Sequence, residues 1–157
     1  MSSVKARCLI LACGNTLRGD DGVGARLAEW AEERFRDAPE VRVILRQQWT
    51  SELAEDIAAA DSVLFVDASL KSPPGRVSLI PASSSIGNPA PASHHLNPDQ
   101  LLSLTHSLYG SPKTHAMLLT VGVGATEVGE TLSGPVEAAL PRARSLLEMT
   151  VLRFLGN

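Results

Sequence analysis

The sequence predicts an α/β fold: a twisted, mostly parallel sheet of about five strands with helices on both faces, in one domain spanning residues 1–157. Three observations carry this reading. Short, wholly apolar runs recur along the chain, as strands buried on both faces require. Segments with helical apolar spacing alternate with them, which implies right-handed crossovers and parallel pairing. One link is too short for a crossover helix, so the sheet is expected to be mixed. At 157 residues, 44% hydrophobic and 20% charged, the chain suits a single core and lacks the marks of disorder.

The run from Arg7 to Cys13 is apolar after its first residue and ends at Gly14, so it reads as the first strand. Asp21 and Gly22 open a helix whose apolar residues Val23, Leu27, Trp30, Ala31 and Phe35 recur at helical spacing. Residues 41–45 read as a second strand, and Thr50 or Ser51 as the N-cap of a helix reaching Ala59. Residues 63–66 form a third buried strand, expected to stop at Asp67. The next strand, near 76–80, follows the Pro-Gly-rich link 71–75 and is expected to be the antiparallel neighbour of the third. Residues 81–97 read as a loop long enough to invite a functional explanation. A helix is expected from Pro98 to Tyr109, a strand at 116–121, and a Gly-rich loop to Glu130. The last helix carries Val136, Leu140, Ala143, Leu147, Val151 and Phe154, with Pro141 forcing a kink or a late start.

Composition narrows the partners. The net charge of −3 leaves no basic footprint for nucleic acid or anionic lipid, and 4% aromatic residues give no stacking platform for single strands. No apolar stretch is long enough to cross a bilayer, and no signal-peptide pattern opens the chain. The expectation is a soluble, cytoplasmic monomer. Cys8 and Cys13, five residues apart on one strand, lie about 16 Å apart when extended, beyond disulfide reach, and read as free, buried, inert thiols.

Ligands of open parallel sheets bind beyond the carboxyl ends of the strands. Three polar features fall there. The first is the loop Gly14-Asn15-Thr16-Leu17-Arg18-Gly19-Asp20-Asp21-Gly22-Val23-Gly24. A Gly-rich turn before a helix would suit a phosphate, but Asp20 and Asp21 put negative charge there. No Walker Lys-Ser/Thr is present, and Gly22-x-Gly24 lacks the dinucleotide spacing. A cation is the better physical match. The second feature is Asp67, at the end of an otherwise apolar strand. If both strands are parallel, Asp21 and Asp67 emerge on one edge and can share a cation; the alternative is that each caps a turn or helix, the role favoured for Asp20.

The third feature is Ser93-His94-His95-Leu96. Residues 81–93 span about 43–47 Å when extended, enough to bring the histidines over the carboxylate edge, although loop histidines are ordinarily just solvated. Two carboxylates and one imidazole leave coordination positions open and suit a borderline divalent ion such as nickel or zinc. His106 and His115 read as structural. Gln47-Gln48-Trp49-Thr50 lies near the same edge, where Trp49 and Thr50, with Gly14, Asn15, Asp20 and His95, are candidates for substrate contact or loop support. Trp49 and Tyr109 also read as packing anchors. No Gly-x-Ser-x-Gly elbow is present.

At these residues the sequence resembles the nickel–iron hydrogenase maturation endopeptidases, which remove a C-terminal extension from the hydrogenase large subunit. The segment 11–24 is similar to the family's Gly-Asn-x-Leu-x-x-Asp-Asp/Glu-Gly-x-Gly signature, Leu64-Phe65-Val66-Asp67-Ala68 to its second acidic motif, and His94-His95-Leu96 to its His-x-Leu motif. Gly129-Glu130 with Leu132-Ser133 resembles the stretch before the final helix. The resemblance implies an αβα sandwich and a metal-dependent endopeptidase acting on the hydrogenase large-subunit precursor. It maps the catalytic and metal-binding set onto Asp21, Asp67 and His94, with His95 the alternative if the register slips by one. It also implies that the nickel is supplied by the substrate; another divalent metal is the alternative. Two departures, at Gly122-Val123-Gly124-Ala125 and at Leu132-Ser133-Gly134-Pro135, leave substrate contacts there unassigned. Two rival readings share the same ligands: a non-hydrolytic nickel-binding assembly chaperone, and a carboxylate-metal hydrolase of small molecules.

Overall fold

Cys8–Cys13 forms the first strand, β1, whose side chains from Cys8 to Ala12 are all but inaccessible to solvent. A computed structural model describes residues 6–15, 19–84, 96–110, 114–124 and 132–156, with Asp20 and Asp21 described by their backbone. Among these residues β1 pairs in parallel with β2 (Val41–Arg46) on one side and β3 (Ser62–Ser69) on the other. β3 pairs in parallel with β5 (His115–Gly122), and β4 (Val77–Pro81) closes the sheet antiparallel to β5. The order is β2-β1-β3-β5-β4. The α/β class and the mixed, mostly parallel sheet are as the sequence predicts.

Strand alternation divides the core between two faces. Cys8, Ile10, Ala12, Leu64, Val66, Leu119 and Val121 pack beneath α1 (Val23–Arg34) and α4 (Gly134–Phe154). Leu9, Leu11, Ile44, Val63, Phe65 and Leu118 pack beneath α2 (Leu53–Ala58) and α3 (Pro98–Tyr109). Each fully buried Leu, Ile or Phe contributes about 1.5–3 kcal/mol of transfer free energy, so both layers are held by the strands they cover. α3 begins where its sequence says it should. Asn97 accepts from the Gln100 N–H, the Gln100 side chain accepts from the Asn97 N–H, and Pro98 fills the first turn.

Several local expectations are corrected. β3 runs two residues past Asp67, because β5 carries the ladder on through Asp67↔Thr120, Ala68↔Val121 and Ser69↔Gly122. β4 is antiparallel but lies beside β5, not beside β3, so the link between them crosses the end of β5. Neither Thr50 nor Ser51 caps α2: their carbonyls accept from the N–H groups of Leu53 and Ala54, forming a backbone turn, and the N-cap is Glu52 without a side-chain bond. The N-cap of α1 is Gly22, after a 3₁₀ turn at Gly19–Gly22, while the Asp20 side chain, expected to cap a turn or helix, lies outside the described residues. α4 starts at Gly134, with no late start, and continues through Pro141. Glu137, whose carbonyl Pro141 leaves without its helical donor, and Pro141 itself are both exposed, while the stripe Val136, Leu140, Ala143, Leu147 and Val151 stays buried.

Candidate active site

The chain leaves β1 for β2 through α1 on one face, then leaves β2 for β3 through α2 on the other face. The carboxyl ends of β1 and β3 therefore flank the point where the winding reverses, the usual ligand crevice of an open α/β sheet. Ala12 pairs with Val66, so Asp67 stands level with Cys13, one strand spacing of about 4.8 Å away. Asp67 is half-buried, and its Oδ1 accepts the Ala68 N–H at 2.8 Å.

The loop after β1 begins in the same crevice. The Gly14 N–H donates to the Arg46 carbonyl at 3.1 Å, extending the ladder; Gly14 is buried and Asn15 half-buried. Gly24 then presses the first turn of α1 onto the end of β1. A Cβ at Gly24 would lie 1.9 Å from the Cys13 carbonyl oxygen, so only glycine permits this approach. Asp21 stands three residues before Gly24, about 6 Å of 3₁₀ rise from the strand end. The backbone of Asp20 and Asp21 thus runs beside the crevice that Asp67 flanks.

By alternation Asp67 shares a face with Phe65, two residues earlier on β3. That face carries Trp49, whose ring meets Phe65 edge-on with centroids 5.3 Å apart at 71°. Trp49 is 4% exposed, which supports its reading as a packing anchor, and its buried Nε1–H has no hydrogen-bond partner among the described residues. The Trp49 carbonyl accepts the Leu96 N–H at 3.1 Å, and Leu96 packs on the same cluster. The Leu96 end of the His94-His95-Leu96 motif is thereby tied to the face that bears Asp67. His94 and His95 themselves lie outside the described residues, and so do Thr16, Leu17 and Arg18. Thr50 is half-buried in the turn before α2.

One feature was not singled out from sequence. Cys13 pairs with Arg46, and Thr120 with both Asp67 and Ser78; with Cys13 and Asp67 each one residue beyond the last β1–β3 pair, Ala12↔Val66, these five non-aliphatic residues fall in step across the sheet. The signal was available in Thr120, a lone hydroxyl inside an apolar strand, but only the register shows that it neighbours Asp67. The Cys13 thiol is half-buried and donates to the Gln47 carbonyl at 3.2 Å, binding the loop after β2 to the end of β1. Cys8 is buried, and burial pushes its thiol up to about 11, against a weaker opposing effect of the Ser62 hydroxyl. It is chemically quiet, as expected.

Above β5 the same edge is closed. The link from β3 to β4 crosses it, with the Gly75 N–H donating to the Gly122 carbonyl and the Gly122 N–H to the Arg76 carbonyl, both at 2.8 Å. His106 and His115 are exposed, near the C-terminal end of α3 and at the amino end of β5, away from this edge. Among the described residues no three His, Cys, Asp or Glu side chains gather as a metal site. The Asp21 carboxylate and the two histidines lie outside that set, so the donors described at the crevice are Asp67 and Cys13. An open groove lined by Ser145, Glu148, Met149, Leu152 and Arg153 lies on the C-terminal half of α4, where Glu148 is engaged by Arg34 at 2.7 Å. It carries none of the predicted chemistry.

No family model matches the sequence, and no curated protein matches it. Solved structures do. The hydrogenase maturating endopeptidase HybD from E. coli is 25% identical, covers 96% of this chain and 94% of its own, and superposes with a TM-score of 0.73. The [NiFe] hydrogenase maturation protease HycI from Thermococcus kodakarensis KOD1 is 27% identical, covers 99% and 96%, and has a TM-score of 0.66. HybD from Thermococcus kodakarensis, at 21% identity and a TM-score of 0.67, repeats the fold over 92% of this chain and 98% of its own. Over nearly its whole length, the chain is similar to the nickel–iron hydrogenase maturation endopeptidases, the family that its three ordered motifs resemble.

Proposed function

We propose that the protein is an endopeptidase that removes the C-terminal extension of a nickel–iron hydrogenase large-subunit precursor. The observation that carries this reading is Asp67 at the β1–β3 switch point, beside the loop bearing Asp21, in a chain similar over its length to HybD of E. coli and HycI of Thermococcus kodakarensis. Asp21, Asp67 and His94 are the proposed site, with His95 as the alternative imidazole. Leu96 on Trp49 supports the histidine assignment, since the motif's last residue is fixed on the Asp67 face.

The donor chemistry fits a nickel ion carried by the precursor: two carboxylates and one imidazole match a borderline divalent ion and leave positions for groups of the substrate. Bound there, the ion supplies Lewis acidity toward the scissile carbonyl or a bound water. The chain's own residues do the rest. Asp67, a half-buried carboxylate oriented by the Ala68 N–H, can position an attacking water and take its proton as a general base. Gly24 lets the first turn of α1, which follows the Asp21 turn, sit against the end of β1, and the Gly14 N–H ties the start of the loop to the Arg46 carbonyl. Requiring the nickel of the substrate to complete the site would couple cleavage to finished metal insertion.

The test is incubation of the purified protein with nickel-loaded and nickel-free precursor, following C-terminal shortening by mass. Shortening of the loaded form alone is expected. Equal cutting of both would overturn nickel gating, and stoichiometric binding without a mass change would favour an assembly chaperone. Turnover of a small-molecule substrate with no protein partner would favour the carboxylate-metal hydrolase.

A further inference from the structure

Between Asp67 and β4 the chain builds a platform that the proposed metal chemistry does not use. After β3 ends at Ser69 the segment 70–76 crosses the carboxyl end of β5. It is clamped at both ends: the Val123 N–H donates to the Ser69 carbonyl at 2.9 Å, and the Gly75 and Gly122 amides bond across the other side at 2.8 Å. The Arg76 N–H closes a turn on the Pro73 carbonyl at 3.0 Å. The crossing rests backbone on backbone. A Cβ at Gly122 would lie 2.0 Å from the Pro73 oxygen, and one at Gly75, where φ is +87°, would lie 2.7 Å from the Pro135 oxygen at the start of α4.

On this rigid crossing Leu70 is 72% exposed, the most exposed large hydrophobic side chain among the described residues, with Lys71, Pro73 and Pro74 exposed beside it. A single exposed leucine elsewhere would need no explanation. This one stands three residues from Asp67, at most about 10 Å along the chain. An extended polypeptide advances about 3.3 Å per residue, so a substrate with its cleaved bond at Asp67 comes within reach of Leu70 about three residues away. We propose that Leu70 is a specificity-determining residue of the cleavage, giving apolar contact to a hydrophobic side chain of the protein substrate close to the cleaved bond. The platform is preorganised, so the contact costs no loop ordering when the substrate arrives. This role rests on the endopeptidase reading.

The experiment measures kcat and KM for precursor shortening by wild type, Leu70→Asp, Leu70→Met and, as a control near the amino end of β5, Leu108→Asp. Leu70→Asp is expected to raise KM about tenfold or more with kcat within about twofold, the factor set by losing the burial of one leucine. Leu70→Met should restore a wild-type KM, Leu108→Asp should leave it unchanged, and all variants should melt with wild type. An unchanged KM in Leu70→Asp, or an equal rise in Leu108→Asp, overturns the assignment. If Leu70→Asp melts early, Leu70→Ser is measured instead, with the same two outcomes. A wild-type protein that leaves the precursor uncut overturns the endopeptidase reading, and the role of Leu70 with it.

Discussion

The two halves of one sheet edge share a row of polar side chains and differ in what lies above it. At β1 and β3 the row presents Cys13 and Asp67 to the crevice where the winding reverses. At β5 it continues with Thr120, the register neighbour of Asp67, but the chain crosses overhead and seals the end with glycines. Polar residues at strand ends therefore do not make a site. What separates the halves, among the described residues, is the crossing of segment 70–76 over the carboxyl end of β5.

Removing chemistry from the open half should have the largest effect. Asp67→Asn is expected to lower the rate of precursor shortening by about 10²–10⁴, the usual worth of a positioned general base, with an unchanged melting curve. His94→Ala is expected to do the same; if it stays active while His95→Ala does not, the imidazole is one residue on. Either result is read by mass spectrometry of the precursor.

Filling the closed half should damage stability instead. Gly122→Ala would force a Cβ to within 2.0 Å of the Pro73 oxygen, and is expected to cost about 3 kcal/mol in denaturant unfolding, since the neighbour is backbone and cannot turn aside. Gly24→Ala, 1.9 Å from the Cys13 oxygen, should cost as much and lower kcat as well, because there the displaced turn carries Asp21. Equal kcat in both folded variants would erase the difference between the halves.

The amino end of β1 supplies a pH-dependent contrast. Burial raises the Cys8 thiol from 9.0 to about 11, so this contribution is fully present below pH 9 and is lost as pH rises through 11. About 2–3 kcal/mol should disappear across that window, measured as urea midpoints, and the loss should be absent in Cys8→Ala. A smaller change is expected at Trp49. Trp49→Phe keeps the ring against Phe65 and removes an N–H with no partner among the described residues, so unfolding free energy should stay within about 1 kcal/mol of wild type or rise. A larger loss would mean that the N–H is bonded after all.

Much of this was legible in sequence because the signals are local. The run through Cys8–Cys13, the helix start at Pro98 and the stripe along α4 each specify their element through burial and hydrogen bonding within a few residues. The stop expected at Asp67 and the caps expected at Thr50 and Ser51 fail for the converse reason. A residue that disfavours a strand in isolation is carried through when its neighbour continues the ladder, and a backbone turn can satisfy a helix start without any side chain. Pro141 likewise yields to the apolar stripe that α4 buries.

The sequence by itself determined the class of fold, the parallel core strands and the identity of Asp21, Asp67, His94 and His95 as candidates, since residue type and period fix which groups are apolar and which can bind a cation. Only the tertiary structure decided that β4 lies outside β5, that Asp67 stands level with Cys13 and beside Thr120, and that Leu96 is tied to the Asp67 face through Trp49. Those relations depend on strand order and register between segments distant in sequence. They are set by how the two apolar faces pack together, which no short stretch of chain encodes alone.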